Sequence, residues 1–147
     1  MADIFQELSK LDTFVCNDDN YNNIPIGTKN VTFYECTKSI NYIPYDVTIL
    51  ECEMKVKENM IPPNVTHLTL HFNQIIKKNI IPPNVTHLIF GFNFDLPIMS
   101  NIIPSNVTHL TFGFKFNQPL IPNIIPSSVT HLTFTSIASR FSFNSSS

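Results

Sequence analysis

IPPNVTHLTL at residues 61–70, IPPNVTHLIF at 81–90, IPSNVTHLTF at 103–112 and IPSSVTHLTF at 125–134 are four copies of one ten-residue phrase. Two looser copies precede them, IPIGTKNVTFYEC from Ile24 and IPYDVTILEC from Ile43. Self-similarity at this period is the signature of a solenoid, in which each unit is one supersecondary element. Aligned on Val31, Val47, Val65, Val85, Val107 and Val129, the copies are separated by 16, 18, 20, 22 and 22 residues. The unit therefore reaches constant length only toward the carboxyl end.

The alignment sorts side chains into columns. Position four holds Tyr34, Leu50, Leu68, Leu88, Leu110 and Leu132, and position six holds Cys36, Cys52, Leu70, Phe90, Phe112 and Phe134. With the valines, these are the expected core, the apolar one, four and six of a leucine-rich-repeat strand. Position two is threonine throughout (Thr32, Thr48, Thr66, Thr86, Thr108, Thr130), and position five runs Glu35, Glu51, Thr69, Ile89, Thr111, Thr133. Both are expected to face outward. A single short strand cannot bury its apolar side alone, so the copies must stack as parallel strands about 4.8 Å apart. Connections such as NQIIKKNIIPPN carry prolines and no 3.6-residue apolar period, which predicts extended or 3₁₀ segments. With few glycines, Asn73, Asn93, Asn117 and Asn123 are the expected left-handed turn residues. The fold class is all-β or β-rich: a right-handed leucine-rich-repeat-like solenoid with one parallel sheet of about six strands and irregular connections opposite.

The stretch FGFKFNQPLIPNIIPSSVTHLTF at residues 112–134 resembles the FNIP repeat, and the resemblance is clearest over residues 59–134 and weaker back to Ile24. FNIP repeats are similar to leucine-rich repeats and occur in social amoebae and giant viruses, often behind an F-box that recruits a ubiquitin ligase. The resemblance implies a ligand-binding repeat surface. Residues 1–23 are too short for an F-box and read as an amino-terminal cap, residues 24–134 as the solenoid, and residues 135–147 as a tail or cap.

Charged residues make up 14% of the chain, well below the roughly 25% of ordinary globular domains, so solubility rests on Asn, Ser and Thr. A net charge of −2 provides no long-range field for nucleic acid or an anionic membrane, and neither is expected as a partner. The first twenty residues lack a basic region followed by an apolar run, and no later stretch is apolar enough to span a bilayer, so a cytoplasmic location is expected, the host cytoplasm if the chain is viral. Cys16, Cys36 and Cys52 lack C-x-x-C spacing, which points to reduced thiols.

His67, His87, His109 and His131 share one column and carry the sharpest chemical signal. One reading is a metal site, against which stand the strand spacing and the lack of an adjoining Cys, Asp or Glu column. Another is a pH-sensitive surface, since neighbouring imidazoles repel when charged. The plainest is that the repeat copies its histidine whether used or not. Asn30, Asn64, Asn84 and Asn106 open N-x-T sequons that the repeat generates automatically. Threonine columns suggest ice-binding solenoids, but the bulky histidines spoil the flat array. No glycine-rich phosphate loop and no separate Cys/His pairing supports catalysis, so no enzyme activity and no cofactor is expected. The expected function is a protein-interaction module. Its expected protein-binding residues are Thr66, His67, Thr69, Thr86, His87, Thr108, His109, Thr111, Thr130, His131 and Thr133, with the ligand unidentified. The alternatives are a metal-binding or hydrolytic protein using the histidines, or a repeat fragment without specific function. After Glu58 few charges remain to repel a second copy, so a homodimer through the carboxyl-terminal edge is also expected.

Overall fold

A computed structural model describes residues 13–40 and 42–135. Its seven strands are β1 (Thr13–Cys16), β2 (Asn30–Phe33), β3 (Ile49–Cys52), β4 (His67–Leu70), β5 (His87–Phe90), β6 (His109–Phe112) and β7 (His131–Phe134). They form one parallel sheet in chain order, giving a β-solenoid of about six turns with no helix among the described residues.

Each coil from β3 onward enters its strand through the same turn. The carbonyl of the proline accepts from the backbone N–H of the valine three residues on, as Pro62 does from Val65 and Pro104 from Val107. Proline presets the turn dihedral and has no N–H to lose. Asn64, Asn84 and Asn106 then reach one coil back, their side-chain amides donating to the carbonyls of Tyr45, Pro63 and Pro83. At the strand start one carbonyl takes two donors: Thr86 N and His87 N both reach Thr66 O. The same fork recurs at Thr48 and Thr86.

Strand positions two and four point inward. Leu50, Leu68, Leu88 and Leu110 form one buried ladder, and Phe33, Cys52, Leu70, Phe90 and Phe112 form another. Behind them, rings from the return segments complete the core, with Phe94 4.5 Å from Phe90 and Phe116 4.1 Å from Phe112. Leu132 departs from the expected buried column. It is 41% exposed because β7 has a neighbouring strand on one side only among the described residues.

Three further expectations change. The amino-terminal cap segment contributes a strand of its own, β1, which makes the sheet seven-stranded, and Cys16 is fully buried there. The first repeat sits three residues from its expected register: Val31 pairs with Leu50 and Phe33 with Cys52. Tyr34 is therefore exposed instead of occupying the leucine column, and Cys36 is buried beyond the strand end. Residues 24–33 align with 43–52 without a gap, Thr28 standing where later copies have valine. Besides Glu35, at φ 45°, the left-handed non-glycine residues are Asn59, Asn79, Asn101 and the expected Asn123, with φ between 59° and 69°, and not Asn73, Asn93 or Asn117. Each left-handed asparagine precedes the Ile or Met that turns the chain back toward the core. Asn73 instead uses its side-chain oxygen to accept from Asp95 N, and Asn117 N donates to Asp95 Oδ1. Of the expected tail or cap at residues 135–147, all but Thr135 lies outside the described residues.

The two residues by which the later coils are longer form a projecting turn. A Cβ on Gly113 would lie 2.1 Å from the Gly91 carbonyl oxygen, and one on Gly91 2.4 Å from His71 Nδ1, so only glycine lets these turns stack. Phe92 and Phe114 follow them, stacked at 5.2 Å.

Leu88 is fully buried, so Leu88→Ala should destabilise by about 2–5 kcal/mol, the cost of lost contacts plus a cavity. Leu132→Ala should cost a small fraction of that. Urea unfolding of both variants checks the contrast, and equal losses would contradict the burial described.

Candidate functional site

Strand positions one and three point outward, and from β4 to β7 they carry His67, His87, His109 and His131 beside Thr69, Ile89, Thr111 and Thr133. In-register pairing sets each histidine directly against the next. Their rings stack at 4.2 Å between centroids, with planes 5–12° apart. Each Nδ1 lies 2.8–2.9 Å from the hydroxyl of the preceding threonine, Thr66, Thr86, Thr108 or Thr130, which fixes ring rotation. The same hydroxyls lie 3.2–3.3 Å from the carbonyl of the threonine one coil back.

The expected binding residues thus divide into two groups. The histidines and Thr69, Thr111 and Thr133 form one continuous outer surface. Thr66, Thr86 and Thr108 are half-buried beside the strand starts, with their hydroxyls committed to the rings and the sheet; Thr130 makes the same bonds at the exposed end.

Toward β1 the surface changes character. A shallow depression of about 610 Å³ spans the outer faces of β1 to β4, and its lining includes Val15, Thr32, Ile49, Glu51 and His67. Val15 and Ile49 are exposed there, while Glu51 is engaged by His71 and accepts from the Thr32 hydroxyl. The repeat phrase gave no warning of this region, because its residues depart from the consensus. Exposed Ile89, 40% accessible in the middle of the regular face, was visible in the outward column but was not singled out.

The remaining candidates have structural roles. Cys16, Cys36 and Cys52 are unpaired and buried. Burial, then the neighbouring Cys36, pushes the Cys16 thiol up to about 12. Burial, then Glu51 and Cys16, raises the Cys52 thiol further still, and burial raises Cys36. The sequon amides of Asn64, Asn84 and Asn106 are the cross-coil donors of the turns. Among the described residues, no group of three or more His, Cys, Asp or Glu is placed to hold a metal ion.

Residues 54–91, 72–115, 94–136 and 116–145 each match the FNIP repeat. The chain belongs to the FNIP repeat family. The match starts after β3, so of the residues that line the depression only those on β4, His67 and Thr69, fall inside it. Among solved structures, this FNIP chain is similar to CroV588, described as a novel circular LRR protein. The two share 34% identity with a TM-score of 0.69, over 77% of this chain and 18% of that one. The chain therefore matches less than a fifth of the length of that neighbour. No curated protein matches it.

His67 is held below the ordinary histidine range, by burial first and then by the charge of His109. His87 is lowered by burial, then by His67, His109 and His131. The folded protein resists protons that the unfolded chain accepts near about pH 6.5. Stability from these groups is full above that value and lost as pH falls through the lower folded-state values. Melting temperature should accordingly fall on acidification below about pH 6.5, and a His67→Gln/His87→Gln variant should show a flatter profile in that window. A profile identical to wild type would contradict the assignment. Separately, the three thiols should resist alkylation in the folded protein and react once it is unfolded in urea, since the thiolate is the reactive form.

Proposed function

We propose that this FNIP repeat solenoid is a protein-interaction module whose ligand docks on the outer face of β4 to β7. The observation that carries this reading is the preordered surface: four coils present the same two uncharged columns in register, with the rings already locked by threonine hydroxyls. Side chains fixed before contact lose little freedom on binding, which favours affinity. The ring edges of His67, His87, His109 and His131, the side chains of Thr69, Thr111 and Thr133, and the apolar Ile89 form the contact surface. Thr66, Thr86, Thr108 and Thr130 act from behind by holding the rings. A ligand large enough to cross four strands is a protein and not a small molecule, because this face has no deep enclosure.

No helix among the described residues is long and apolar enough to cross a membrane. We place the module in the cytoplasm, that of the host if its source, like that of its structural neighbour, is a giant virus.

Two variants test the docking face: His87→Ala, and Ile89→Asp, which puts a charge at its centre. Proteins retained by the immobilised wild-type chain from its native cells should be lost from both variants, whose melting temperatures should stay within a few degrees of wild type. Retention of the same ligand by a folded Ile89→Asp protein would place the binding surface elsewhere.

A further inference from the structure

The threonine–histidine bonds fix which atoms the ladder offers to a ligand. A threonine hydroxyl has one proton, and here two acceptors lie within reach. One is the histidine Nδ1 at 2.8–2.9 Å, and the other is the threonine carbonyl one coil back at 3.2–3.3 Å. That carbonyl already accepts two backbone N–H groups, as Thr66 O does from Thr86 and His87. The hydroxyl proton therefore goes to Nδ1 while the ring is neutral, and the ring carries its own proton on Nε2. When the ring is protonated, Nδ1–H donates back to the same hydroxyl, whose proton swings to the carbonyl. In both states the other ring nitrogen, Nε2, bears a hydrogen.

Stacked at 4.2 Å, the rings thus align a row of like donors. The adjoining column from β4 to β7 contains Thr69, Ile89, Thr111 and Thr133 and no carboxylate. On β3, Ile49 continues the histidine column, and Glu51 is taken by His71 and Thr32. Asn30 and Thr13 continue it on β2 and β1. Ahead of β3, Lys29 and Asp46 pair with each other.

We infer that the histidine ladder is a carboxylate-binding site, filled by an acidic segment of the protein ligand, and that it strengthens in mild acid. This rests on the docking face proposed above and names the chemistry that fits it. A carboxylate accepts from Nε2–H of a neutral ring, and the bond becomes charge-assisted when the ring takes a proton. Like charges on rings 4.2 Å apart oppose protonation of the free ladder. A bound anion relieves that repulsion, so carboxylate and proton binding reinforce each other.

Poly-aspartate is the probe, since it stays ionised down to about pH 5.5. Its affinity for the whole chain should rise on going from about pH 7.5 to about pH 5.5, by up to about tenfold per pH unit for each proton taken up. A folded His87→Gln/His109→Gln variant should lose that rise. Proton–nitrogen correlation spectra of the wild-type histidines, which need no variant, should show Nε2 protonated in the neutral ladder. Rings protonated on Nδ1 alone, affinity that does not change with pH, or a rise that survives in the double variant would each overturn the inference. Acid-strengthened poly-aspartate binding alongside a protein ligand indifferent to His87→Ala and Ile89→Asp would instead sink the docking reading and leave the carboxylate site standing.

Discussion

In-register parallel pairing between one coil and the next is the constraint from which the other features follow. It advances the chain by a single strand spacing per coil, about 4.8 Å, and so places each residue against its own counterpart. A column of leucines becomes a buried ladder and a column of histidines becomes a stack of rings. An insertion is tolerated only where the backbone can bulge without disturbing the ladder. The added turns at Gly91 and Gly113 meet that condition, because bare Cα atoms let one turn lie against the last. Polar side chains obey the same rule: Gln74 bonds both the N–H and the carbonyl of Val56 in the coil before, and Asp95 ties residues 117 and 118 to its own coil.

Threonine is the residue that turns a repetitive sheet into a specific surface. Valine in its place would suit the strand equally well as a β-branched residue but would leave each imidazole free to rotate. The hydroxyl holds Nδ1 and keeps a second acceptor in reserve. A neutral and a charged ring are therefore both accommodated without moving the backbone. At the amino end the surface has no such order. Val15, Ile49 and Glu51 replace the polar columns around a depression, which gives the solenoid two chemically distinct ends on one face.

Strands β3 to β7 and their inward columns were legible because leucine, phenylalanine and valine recur at fixed positions of an unbroken phrase. The register of β2 was not, because Val31 attracts an alignment that the Ile-Pro at residues 24 and 25 contradicts. Anchoring on the proline turn, whose carbonyl closes the same bond in each later coil, gives the observed pairing. Strand β1 has no Ile-Pro turn ahead of it and no histidine or threonine column to mark it. The histidine column could be read from sequence, but its rigidity could not. That property needs the distance between a threonine hydroxyl and the next residue's ring, which depends on the forked backbone bonds at the strand start. Of the asparagines expected to be left-handed only Asn123 is, because tolerance of positive φ is shared by every Asn, and only the return of the chain to the core selects among them.

Through-space proton contacts among the histidine rings in solution test the stacked, in-register ladder most directly. Cross-peaks should join His67 to His87, His87 to His109 and His109 to His131, and none should join His67 to His109. Rings without mutual contacts, or rings in contact with the leucine column, would contradict the register and the surface built on it.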